Sequence, residues 1–160
     1  MKINVRFVFA AVLIASIAAL GINHGAWAKP ADHHGTVPPC QTSDTRTTGG
    51  VLKTCSSLVT VTYVPYGGSA TVTEINPGQY GKAPKPRNFG PGVNIVVLDR
   101  HNKPVQSDLV IVCFPDPTGK GLIYYWLSQR GWVLSPTYHD KKAGLTCTLS
   151  WFTGVFAIAY

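Results

Sequence analysis

Beyond residue 57, apolar and polar side chains alternate with a period of two along most of the chain. Val59, Val61 and Tyr63 fall on one side of an extended backbone, with Thr60 and Thr62 on the other. Leu145, Cys147, Leu149 and Trp151 alternate in the same way with Thr146, Thr148 and Ser150, the pattern of a half-buried antiparallel strand. Further strands are predicted over 70–75, 93–99, 109–114, 122–127, 131–134 and 155–160, each rich in β-branched or aromatic residues and bounded by Gly, Pro, Asn or Asp. Turns are expected at Asp99–Pro104 and Pro115–Gly121. After the first 28 residues, no segment holds a helical period over ten or more positions. The fold class predicted is all-β, a single antiparallel β-sandwich of about 7–9 strands, with a small barrel as the related alternative.

The first 28 residues read differently. Lys2 and Arg6 precede an apolar run from Phe7 to Ile22, and Ala26-Trp27-Ala28 has the small-x-small form of a cleavage site. This is the composition of a signal peptide cut before Lys29, the alternative being an uncleaved anchor helix. Residues 29–56, rich in Pro, Gly and Thr, are expected to be a loosely held leader, and residues 57–160 the sandwich domain. Export fits the four cysteines, Cys40, Cys55, Cys113 and Cys147, an even number read as two disulfides. Three connectivities are open. Preferred are Cys40–Cys55, pinning the leader on itself, and Cys113–Cys147, joining two strands far apart in sequence. The Cys spacing does not match a zinc site, so neither metal nor cofactor is expected. The predicted location is secreted or periplasmic.

The 160-residue chain has a net charge of +7. With Lys2 and Arg6 set aside, 12 basic residues face 7 acidic ones. This modest excess favours weak attraction to acidic glycans or headgroups, and export argues against nucleic acid as a partner.

The stretch VVLDRHNKPVQSDLVIVCF resembles the paired strands of bacterial immunoglobulin-like surface modules, with an Asn-Lys-Pro-Val turn between two apolar strands. Over roughly residues 93–160, VIVCFPDP, IYYW, GWVLSPT and GLTCTLSWFTGVFAIAY resemble small secreted bacterial β-sandwich proteins of unassigned function. The resemblance implies an immunoglobulin-like sandwich and no particular chemistry.

The apolar C-terminal stretch is read as a closing core strand, in preference to a strand of an outer-membrane barrel or one offered to a neighbouring subunit. No stable membrane insertion is expected once the signal peptide is cut, and the oligomeric state is open.

Candidate chemistry is sparse. The acids are scattered and no G-x-S-x-G elbow is present, so no catalytic residue is nominated and the chain is read as a non-enzyme. His139-Asp140 is expected in a solvated loop. Asp32-His33-His34 could hold a metal only weakly, because a Cu/Ni amino-terminal site needs His as third residue and cleavage before Lys29 makes His33 the fifth. Tyr124, Tyr125, Trp126 and Trp132 form an aromatic cluster whose default role is packing. The main binding candidate is the loop of residues 76–92, three positive charges and two aromatics without an acid, the alternative being a plain solvated connection between the sheets. Tyr80, Lys82, Lys85, Arg87 and Phe89 are its candidate binding residues, facing an extracellular polysaccharide or cell-envelope component. The reading is therefore an exported non-catalytic surface or binding module. The alternatives are a small extracellular hydrolase with unidentified residues and a structural subunit assembling by strand pairing.

Overall fold

The alternating segments pair as antiparallel strands in a computed structural model that describes residues 41–160, Asp108 excepted. The expected signal peptide, Asp32-His33-His34 and Cys40 lie outside the described residues. Twelve strands occur among the described residues: β1 Ser43–Arg46, β2 Gly50–Lys53, β3 Leu58–Val61, β4 Ser69–Ile75, β5 Phe89–Leu98, β6 Pro104–Val105, β7 Val110–Pro115, β8 Leu122–Leu127, β9 Gly131–Leu134, β10 Thr137–Asp140, β11 Leu145–Ser150 and β12 Gly154–Ala159. The larger sheet has the order β1-β4-β5-β12-β8-β9, with the short β6 also on β5, and the smaller has the order β10-β11-β7-β3-β2. All pairs are antiparallel. The predicted all-β sandwich is the observed architecture.

At both margins the chain steps directly from one sheet to the other, from β1 to β2 on one side and from β9 to β10 on the other. Lys53 N donates to Asp44 Oδ2 at 3.0 Å across the first corner. At the second, the Thr148 hydroxyl donates to the Pro136 carbonyl at 2.7 Å. The Ser135 hydroxyl therefore donates to Thr148 Oγ1, at 2.6 Å. The edge strands at these joined margins are four residues long each, which limits edge-to-edge association. The C-terminal strand β12 sits inside the larger sheet, paired with β5 on one side and β8 on the other, and so has no open edge to offer.

Two strands fall where a leader was expected. The SDTR of β1 carries no apolar alternation; it is held by pairing with β4, where Thr45 and Thr71 hydroxyls meet at 2.9 Å. His139 and Asp140 are likewise on β10, an edge strand, and not in the solvated loop expected of them.

Between the sheets lies one apolar core, built from the inward positions of the alternating strands: Val59 and Val61, Ala70 and Val72, Val93, Ile95 and Val97, Val110, Val112 and Phe114, Ile123, and Phe156 and Ile158. β11 enters this core with its polar face. Its register sets Cys147 opposite Cys113 and Thr148 opposite Val112, so the hydroxyl residues share the inner side with Val112 and Phe114. Leu145 and Cys147 instead join Leu58 in a smaller cluster on the outer side. The buried hydroxyls of Thr146, Thr148 and Ser150 are all hydrogen-bonded, the condition under which a polar face can be buried at low cost.

Cys113 and Cys147 form a disulfide across this register, Cα to Cα 4.1 Å. The bridge lies within the smaller sheet, whereas that of antibody domains joins the two sheets. Cys55 is also disulfide-bonded. Among the described residues no cysteine is free, and no helix is long and apolar enough to cross a membrane.

Candidate functional site

The loop of residues 76–92 divides into two parts with different roles. Asn76 Oδ1 accepts from Gly78 N at 3.0 Å and starts a short 3₁₀ turn, Pro77–Tyr80. Pro77 is buried against Gly92, where a side-chain carbon at Gly92 would lie 2.6 Å from Pro77 Cγ. The turn sets Tyr80 edge-on to Trp126 and Trp132, with ring centroids 6.0 and 6.3 Å apart, and Phe89 packs on Trp132 at 4.8 Å. Trp126 and Trp132 are directly opposed on β8 and β9. Two of the five expected binding residues, Tyr80 and Phe89, therefore spend much of their ring surface on packing. Trp132 Nε1 is buried among them with no hydrogen-bond partner.

The rest of the loop, with Lys82, Lys85 and Arg87, runs to the end of the domain where β12 stops. Asn88 and Tyr160 exchange two backbone hydrogen bonds of 3.0 Å, so the residue that follows β12 is sewn to the loop. Arg87 Nη1 donates to the carbonyls of Lys120 and Ala159, at 3.1 and 3.2 Å. A guanidinium carries five N–H donors, so the remaining ones stay available to a ligand. Beside it an open cleft of about 770 Å³ is lined by Pro86, Arg87, Thr118, Lys120 and Tyr160.

Asp116, which sequence reasoning passed over, organises the turn that supplies Thr118 and Lys120. Its side chain is fully buried. Oδ1 accepts from Thr118 N (3.1 Å), Thr118 Oγ1 (2.7 Å) and Gly119 N (3.0 Å), and Oδ2 from Gly121 N (2.8 Å) and Thr146 Oγ1 (2.8 Å). Burial by itself would raise its pKa, but the bonds from Thr118, Thr146, Gly121 and Gly119 outweigh it and hold the carboxyl at about 2. Burial, with the nearby Asp116 charge as the lesser cause, pushes the Tyr160 hydroxyl above its ordinary value.

His139 Nδ1 lies 3.1 Å from Thr146 Oγ1. Because the Thr146 proton is given to Asp116, His139 must donate, which fixes the hydrogen on Nδ1. Carboxylate, hydroxyl and imidazole thus form a chain resembling a catalytic relay. Thr146 is 1% exposed and the carboxylate is already saturated by five donors, so the arrangement anchors a turn and offers no nucleophile to a substrate. The Asp-Pro-Thr-Gly sequence was a readable signal for the local part of this anchor. The Thr146 contact, 30 residues away, had no local signal.

Three segments meet at this end of the domain: 84–88, 116–121 and 141–144. Asp116 N donates to Gly144 O at 2.8 Å, which ties the second to the third. They carry Lys85, Arg87, Lys120, Lys141 and Lys142. The acid within them, Asp116, is buried; Asp140, at the border of the third, accepts from Lys142 N and Ala143 N at 3.0 and 3.1 Å. Among the described residues no three His, Cys, Asp or Glu side chains gather to hold a metal.

Comparison with family models, curated proteins and solved structures finds no match for this chain.

Proposed function

We propose that this chain is an exported, non-catalytic binding module that recognises an anionic polymer, such as an acidic polysaccharide of the extracellular matrix or cell envelope, through the basic end of the sandwich. The observation that carries the reading is the placement of Arg87 and Lys120 on an open cleft, with Lys85, Lys141 and Lys142 on the adjoining turns and the one acid inside those turns buried. Disulfides belong to oxidising compartments, which supports export. A repeating anion can engage several spaced cations at once and gain by multivalency where any single exposed pair would contribute little.

The test is retention on immobilised polygalacturonate compared with neutral dextran. Binding to the acidic polymer that weakens with salt is expected, and Lys85→Gln combined with Lys120→Gln should weaken it about tenfold, each cation contributing up to about 1 kcal/mol. Arg87 is left in place because it also supports the Lys120 and Ala159 carbonyls. Equal retention on dextran, or no effect of the double substitution, refutes the reading.

A further inference from the structure

The opposite end of the sandwich has a different chemistry. The registers Arg46↔Ala70, Ser69↔Leu98, Gly154↔Ile95, Leu127↔Gly131 and Ser150↔Val110 bring the turns 47–49, 62–68, 99–103, 128–130 and 151–153 to this one end. On them stand Tyr66, 95% exposed, Trp151, 66% exposed, and the exposed Phe152. Single exposed aromatics are ordinary, but several on the turns of one end of a small domain mark an interaction surface.

The Trp151 turn is held in place from both sides. Phe152 N donates to Ser150 Oγ (3.0 Å) and Ser150 Oγ to Phe152 O (3.1 Å), while Thr153 N and Oγ1 donate to Gln106 Oε1 (3.0 and 3.3 Å). The Phe152 ring stacks on Tyr125, 6.1 Å between centroids. A fixed turn loses little entropy when its aromatic tip is buried by a partner. The same turns present exposed Arg100, Lys103 and Arg130. Asp99, the acid beside two of them, accepts from His101 N and Lys103 N at 2.8 and 2.9 Å. Among the described residues Arg46 pairs with Asp44 at 3.9 Å, Arg100 Nε donates to His101 Nε2 at 3.0 Å beside the Asp99 carboxylate, and Lys103 and Arg130 make no ion pair.

We propose that this end docks on the surface of an anionic lipid bilayer, with Trp151, Phe152 and Tyr66 at headgroup depth and Arg100, Lys103 and Arg130 on the lipid phosphates. Trp and Tyr favour that depth because one part of the ring system is apolar and another hydrogen-bonds to water or headgroups. Basic side chains beside them add attraction that is confined to negatively charged leaflets and screened by salt. The aromatics stand on two separate turns with cations on others around them, which suits a planar charged surface better than a single apolar pocket. Docking this way round holds the basic cleft at the far end of the strands, pointing away from the membrane. The inference is independent of what that cleft binds.

The test uses the exported protein, its N-terminus fixed by intact mass, mixed with phosphatidylglycerol/phosphatidylcholine vesicles and with phosphatidylcholine vesicles alone. Salt-sensitive sedimentation with the anionic vesicles is expected, and brominated lipid should quench the fluorescence of the parent protein more strongly than that of Trp151→Phe. Trp151→Ala with Phe152→Ala should lower partitioning about tenfold or more, the ratio that corresponds to withdrawing an aromatic side chain from an apolar environment. Arg100→Gln with Lys103→Gln should remove the preference for anionic vesicles. Lys120→Gln, at the other end, should leave the quenching intact. All these positions are exposed, and an unchanged urea midpoint will show that the variants fold. No vesicle binding, or binding and quenching unaltered by the aromatic substitutions, overturns the proposal. So does self-association in gel filtration that is lost in the aromatic variant while vesicle binding persists, because it assigns the surface to a second copy of the chain.

Discussion

Asp116→Asn offers the sharpest check on how the basic end is held together. The amide preserves the shape of the carboxylate but turns one of its two acceptor atoms into a donor. If the Asn oxygen keeps the three donors from Thr118 and Gly119, the new NH₂ faces Gly121 N–H and the Thr146 hydroxyl, which now lie 2.8 Å from Oδ2. The flipped amide is worse, setting NH₂ against three donors. The Thr146 hydroxyl can rotate, but the Gly121 N–H stays aimed at a donor, and buried unsatisfied donors cost about 1–3 kcal/mol each. A loss of about 2–4 kcal/mol is expected, seen as a lower urea midpoint at pH 7 and a melting temperature reduced by roughly 10 °C.

The pH dependence gives a second, signed readout of the same residue. The folded carboxyl titrates at about 2 and its ordinary value is 3.8, so its ionisation stabilises the fold fully above about pH 4. That contribution, about 2 kcal/mol, is lost as the pH falls from about 4 to 2. Asp116→Asn has nothing to lose there, so the gap between parent and variant should shrink by about that amount across the window. A gap below about 0.5 kcal/mol at pH 7, within the ordinary range of a surface substitution, would refute the reasoning, as would a gap that stays constant from pH 5 to pH 2.

Two further predictions concern the same end of the molecule. Removing the Cys113–Cys147 bridge by a double Ala substitution releases a loop with sequence separation 34, and urea unfolding should show a loss of about 3–4 kcal/mol with the sheet retained in circular dichroism; a loss under about 1 kcal/mol would mean the bridge does not constrain the unfolded chain. Gly121→Ala would set a methyl group 2.8 Å from Ile158 Cγ1 and 2.9 Å from Asp116 Oδ2, and since both neighbours are buried and held, a cost of about 3 kcal/mol in the urea midpoint is expected. An unchanged midpoint would show that the turn yields.

Alternation was legible wherever strands bury one side. The strands over 70–75, 122–127 and 131–134 could be read nearly to their ends, because a period of two follows directly from the extended backbone. β1 and β10 were not legible, since SDTR and TYHD carry no apolar alternation and exist as strands only because β4 and β11 offer them open hydrogen-bonding edges. Of the expected binding residues, Arg87 lines the open cleft with Lys85 next to it in the same segment. Tyr80 and Phe89 do not stand free, since nothing in the loop itself tells of Trp126 and Trp132 on strands more than thirty residues away.

The sequence by itself determined the fold class and the strand-rich architecture, because backbone periodicity is a local property. It also carried the pairing of Cys113 with Cys147 as a preference among three connectivities. Only the tertiary structure decided which face of each strand is inside. The alternation in β11 marked a correct strand with its polar face turned to the core, a choice made by the register with β7 and by the Asp116 and Pro136 acceptors waiting for its hydroxyls. It likewise decided that five cations from three distant segments meet at one end and the exposed aromatics at the other. Antiparallel pairing sends successive turns to opposite ends of the sandwich, and which turns come together depends on contacts that no short stretch of sequence contains.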